Sequence, residues 1–73
     1  MDAQAITART AKRVSSAITQ AGVTPATVAE ATDMDHADLD DSLHARRPFK
    51  VLELVRVGGF LHVAPDTLIG AAA

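Results

Sequence analysis

Apolar and polar positions alternate along this chain mostly at helical period. Ile6, Val14, Ala17, Ile18 and Ala21 share one helical face, while Arg9, Lys12, Arg13 and Gln20 fall largely elsewhere on it. Gly22 stops that first helix. Thr24-Pro25 restarts a second with an N-cap hydroxyl and a proline at the first helical position, where no backbone donor is missed. The second helix is expected to run to about Thr32, with Val28 and Ala29 inward and Asp33 in a tight turn that asks for positive φ. Asp35 then caps a third helix whose Leu39 and Leu43 are four apart, with Met34 as its hydrophobic staple and Asp38 beside the positive helix terminus. Pro48 disfavours α geometry in the residue before it, so the Arg46-Arg47-Pro48 stretch is expected to end this helix after Ala45. Val51, Leu54, Val57, Gly58 and Leu61 predict the stripe of a fourth helix. Gly58-Gly59 costs it about 2 kcal/mol of intrinsic propensity, which close packing at Gly58 would justify. Ala64-Pro65-Asp66 opens a short fifth helix through Thr67 to Ile69. No strand and no internal repeat is predicted.

Composition narrows the class. With 73 residues, 48% of them apolar, and no Cys, Trp or Tyr, the chain is expected to form one domain over residues 1–73, its core about 5–70. So short a chain buries roughly 60% of its extended surface, which leaves little room for a deep catalytic cavity, so binding is expected rather than catalysis. Ser15, Ser16 and Ser42 have no orienting base, and no glycine-rich phosphate loop is present. The longest uncharged run, residues 14–29, contains Pro25 and several polar residues, so no membrane span is expected. Asp2 and the lack of a continuous apolar core near the start argue against a secretory signal, and a cytoplasmic setting is expected. Fifteen alanines and no asparagine suggest a GC-rich bacterial or phage genome.

Five short helices with a tight second-to-third connection resemble the lambda-repressor-like helix-turn-helix family, also called Cro or Xre type. The residues that carry the resemblance are Gly22-Val23-Thr24, Val28-Ala29-Glu30, Ala31-Thr32-Asp33-Met34-Asp35, Leu39, Leu43, Pro48-Phe49, Glu53-Leu54, Val57-Gly58, Leu61, Val63 and Leu68-Ile69. The resemblance implies an all-α, compact five-helix domain with its helix-turn-helix at about 24–44. It implies a sequence-specific regulator of transcription that binds double-stranded DNA, such as a phage or prophage repressor, with no cofactor. The third helix would enter the major groove, and its base-contact candidates are His36, Ala37, Asp40 and Asp41. Phosphate-contact candidates are Thr24, Arg46, Arg47 and Lys50. Relatives often pair Arg with Glu at the positions of Ile18 and Leu43; here both are apolar and are expected to touch. A homodimer on paired half-sites is expected, with Leu61, Val63, Leu68 and Ile69 around the fifth helix as the contact.

Charge is blocked along the chain rather than mixed. Residues 1–13 balance at +2. Residues 33–44 hold Asp33, Asp35, Asp38, Asp40 and Asp41, a balance of −5, and residues 46–56 hold four cations against Glu53, a balance of +3. Cations therefore flank an acidic third helix, which carries no Lys or Arg where family members usually present Gln, Arg, Ser, Thr or Asn. Contacts from Arg46, Arg47 and Lys50 to phosphate would give a salt slope of about −2.7. The acidic helix can itself be read as a protein-interaction surface, with Asp38, Asp40 and Asp41 binding a basic partner or mimicking the charge of DNA. His36, Asp40 and His44 recur every fourth residue on one helix face, but no second element supplies a fourth ligand, so no metal is expected. A calcium loop beginning at Asp33 is excluded by Ala37, Asp38 and His44 at positions that need a ligand, a glycine and a bidentate glutamate.

Overall fold

The computed structural model describes residues 3–69. Five helices and no strand lie among them: α1 (Ala3–Ala21), α2 (Pro25–Ala31), α3 (His36–Leu43), α4 (Val51–Leu61) and α5 (Pro65–Ile69). The chain is all-α. α1 packs against α3, α4 and α5, α2 against α3 and α4, and α5 closes on α4. The core consists of Val14, Ile18, Val28, Ala29, Leu39, Leu54, Val57 and Leu68, ringed by half-buried residues that include Val23, Met34, Leu43, Phe49 and Phe60. Ile18 and Leu43 thus lie in the same apolar cluster. None of these helices is long and apolar enough to cross a membrane.

Four helix ends share one construction. Gly22, Asp33, Ala45 and His62 each adopt positive φ, between 59° and 73°. The next amide then reaches back five residues: Val23 to the Ile18 carbonyl at 3.4 Å, Met34 to Ala29 at 2.9 Å, Arg46 to Asp41 at 2.8 Å and Val63 to Gly58 at 2.8 Å. A left-handed residue followed by a back-reaching amide satisfies carbonyls that a helix end leaves open, and an apolar residue after it commonly seals the turn. Val23, Met34 and Val63 do so by packing on the core. At the end of α3 the corresponding residue is Arg46, which is exposed and charged.

Three sequence expectations need correction. The buried face of α1 is Thr10, Ala11, Val14 and Ile18, while Ile6 and Ala21 are exposed, because only the middle of this 19-residue helix lies beneath its neighbours. α3 ends at Leu43, before Pro48 can act, because His44 caps it and Ala45 turns left-handed. The apolar residues around α5 are not spare: Leu68 is buried, and Leu61, Val63 and Ile69 pack half-buried against the core. The surplus lies on α4, where Val51, expected inward, is 70% exposed. Gly58 does mark a close approach, since a Cβ there would sit 2.5 Å from the Val63 carbonyl oxygen.

Candidate nucleic-acid interface

α2, the four-residue connection after it and α3 form one packed unit. Thr24 caps α2: its hydroxyl accepts from the Thr27 amide at 3.2 Å, and Pro25 fills the first helical position. Thr32 is buried, and its hydroxyl donates to the Val28 carbonyl at 2.6 Å, so the turn contains no orphaned polar group at this point. Asp35 caps α3 by accepting from the Ala37 and Asp38 amides at 2.8 and 3.2 Å. Leu39 and Ser42 are buried beneath α3, and His36, Ala37, Asp38 and Asp40 are exposed above it, as the 3.6-residue period requires. An open cleft of about 270 Å³ runs between the starts of α2 and α3, lined by Pro25, Ala26, His36, Leu39 and Asp40.

The acidic side chains are partly answered from within the chain. Arg46 forks between two of them, donating from Nε to Asp41 at 2.9 Å and from Nη2 to Asp40 at 2.8 Å. The hydrogen bond to Asp41, aided by the charge of both carboxylates, raises the pKa of Arg46. His44 places Nδ1 2.8 Å from the Asp40 carbonyl oxygen and 3.3 Å from its carboxylate, and His36 Nε2 stands 4.0 Å from Glu30. Asp38 makes no ion pair among the described residues.

Arg47 turns inward rather than toward α3's outer face. It binds Glu53 with two parallel hydrogen bonds of 3.1 and 2.7 Å and donates to the buried hydroxyl of Ser42. Glu53 in turn accepts from the Lys50 amide at 2.8 Å, which closes the start of α4. Its carboxyl is held below its ordinary pKa, chiefly by the Arg47 hydrogen bond and further by the Lys50 amide, against burial that pushes it up. Arg47 therefore ties α3 to α4. Lys50 is exposed and has no ion pair among the described residues, and the same holds for Arg9, Lys12, Arg13 and Arg56.

The structure thus gathers His36, Ala37, Asp40, Asp41 and Arg46 on or beside the outer side of α3. Thr24 stands exposed at the start of α2 and Lys50 at the start of α4, while Arg47 is engaged between helices. Sequence reasoning counted Glu53 in the resemblance and the charge balance but missed its pairing with Arg47. Its signal was present: a glutamate three residues after the cap of α4 is placed to accept the cap amide, and Ser42, buried beside Leu39, needed a polar partner. Comparison of the chain with protein-family models, with curated proteins and with solved structures finds no match.

Proposed function

We propose that this chain is a helix-turn-helix module of the lambda-repressor-like kind that binds double-stranded DNA and regulates transcription by occluding a promoter, in a bacterial or phage-infected cytoplasm. The observation that carries this reading is α3 itself. It is short, capped at both ends, fixed to α2 by a tight left-handed turn, and buried on one side only, so that His36, Ala37 and Asp40 stand outward together. Such a helix fits the major groove. His36 suits a guanine acceptor, Asp40 suits the cytosine amino group, and the Ala37 methyl suits a thymine methyl. Lys50 and the Thr24 hydroxyl supply phosphate contacts that orient the helix without reading sequence.

Fluorescence polarisation against random and genomic-neighbour duplexes, at two salt concentrations, tests the reading. Binding is expected to weaken several-fold in Lys50→Glu on every duplex, and His36→Ala is expected to flatten the preference between duplexes. No association even in dilute buffer would remove the DNA reading. A second reading has one observation in its favour: Asp38 stands exposed on α3 with no ion pair among the described residues. On that reading Asp38, Asp40 and Asp41 bind a basic protein, and their change to Asn abolishes binding rather than improving it.

A further inference from the structure

Arg9, Lys12, Arg13, Ser16 and Gln20 recur at spacings of three and four residues, so they share one side of α1. That helix carries no carboxylate from Ala3 to Ala21. α5 packs on α1, and between the two lies a cleft of about 440 Å³. Its walls have two characters. Arg9, Lys12 and Arg13 stand exposed along it and make no ion pair among the described residues. Ala17 and Val63, both half-buried, and the buried Leu68 give it an apolar floor. Asp66, next to Thr67 on α5, takes no part in the lining. A single sign of charge sets this cleft apart from two others: one at the end of α2 has Asp33 beside Arg56, and the one at the start of α3 has Asp40.

We propose that the cleft between α1 and α5 binds a soluble phosphate monoester with a short aliphatic stem. Charge names the head group. Three cations with no carboxylate among them favour a dianion, and two of them are guanidiniums, whose planar fork matches phosphate oxygens. The Ser16 and Thr67 hydroxyls and the Gln20 amide line the same cleft and supply further donors. The floor names the stem. A site for inorganic phosphate or for a duplex backbone has no use for Ala17, Val63 and Leu68. Sites for small organic ligands combine an apolar lining with a few polar groups in about 300–1,000 Å³. No aromatic side chain lines the cleft among the described residues, which favours an aliphatic stem over a stacked ring.

Exposure sets the strength. The three cations are solvated and screened by salt, so the dissociation constant is on the order of a millimolar in dilute buffer. The site goes beyond the DNA reading and does not rest on it, since none of its residues belongs to α2 or α3.

Amide chemical shifts of the full chain, titrated with hexyl phosphate in dilute buffer, test the proposal. Saturable shifts are expected along residues 9–20 and in α5. Inorganic phosphate and hexanol should each bind about tenfold or more weakly, because burying two methylenes is worth roughly that factor and so is one close charge pair. Hexanoate, a monoanion, should fall between. Lys12→Gln combined with Arg13→Gln changes only exposed positions and is expected to weaken hexyl phosphate about tenfold. Ser16→Leu fills the cleft without altering a charge and should reduce hexyl phosphate to the level of inorganic phosphate. Thr67→Leu does the same from the opposite wall. Arg56→Gln removes a cation elsewhere and leaves the constant unchanged. Equal binding of hexyl phosphate and inorganic phosphate, or full binding in both leucine variants, overturns the proposal. So do shifts at this cleft from a short DNA duplex or from phosphatidylglycerol vesicles with none from hexyl phosphate.

Discussion

Gly58 and Gly59 are neighbours in one helix with opposite requirements. A methyl at Gly58 would collide with the backbone oxygen of Val63, whose own amide bonds to the Gly58 carbonyl, so the collision cannot be relieved by turning a side chain. Gly58→Ala is expected to destabilise by about 2 kcal/mol despite the better propensity of alanine. Gly59→Ala meets open space and should stabilise by about 0.5–1 kcal/mol. Urea melts of dilute protein check both, and equal effects would mean that the approach of Val63 is not tight. Glu53 gives a second residue-level outcome. Its pKa is lowered by folding, so its contribution is full above the ordinary glutamate value and disappears as pH falls through the folded value. Glu53→Gln should therefore cost about 1–2 kcal/mol near neutral pH and almost nothing once acid has protonated the wild-type carboxyl. Melts at the two pH values decide it. A pH-independent difference would assign the effect to packing.

At the scale of elements, helix ends decide the shape. Ala45 holds positive φ without the tolerance of Gly, Asn or Asp, and its neighbour Arg46 lacks the apolar side chain that seals the other three turns. Ala45→Gly is expected to raise stability by about 0.5–1 kcal/mol, part of the left-handed penalty being offset by the freer unfolded chain. Asp35→Ala removes both acceptor bonds at the start of α3 and should cost about 1 kcal/mol. Thermal melts of the two variants should move in opposite directions. These ends also show how far the sequence could be read. Gly22, the Thr24-Pro25 pair, Asp33 and Asp35 announce their turns chemically, and the structure has its breaks there. Ala45 carries no such mark, so Pro48 drew the expected end of α3 too far along the chain. Helix period located Leu39, Leu54 and Val57 in the core, but period alone does not say how much of a face its neighbours cover. Val51 and Ile6 sit at the uncovered ends of their stripes and are exposed. For the site, the outer residues of α3 follow directly from its period. The partners of Arg46 and Arg47 do not, because they depend on how the connection folds back.

For the whole molecule, the ion pairs change what the blocked charge of the sequence can do. Three free cations beside α3 would give a salt slope of about −2.7. Arg47 is held bidentately by Glu53, with side chains 25% and 15% exposed, so it cannot reach phosphate without breaking the link between α3 and α4. Arg46 can reach phosphate only by releasing Asp40 and Asp41, which would leave two bare carboxylates facing the groove. Of these three candidates only Lys50 has no ion pair among the described residues, and the expected slope from them falls to about −0.9 for one copy. If the chain binds DNA as proposed, the same carboxylates that make α3 acidic would therefore also ration its phosphate contacts. Changing Asp40 and Asp41 together to Asn should free Arg46, steepen the slope by about 0.9 and tighten binding at low salt. Polarisation titrations across a salt series measure both quantities. A wild-type slope already near −2.7 would mean that both arginines exchange their carboxylates for phosphate on binding. A slope unmoved by the double change would mean that Arg46 serves the turn after α3 and not the duplex.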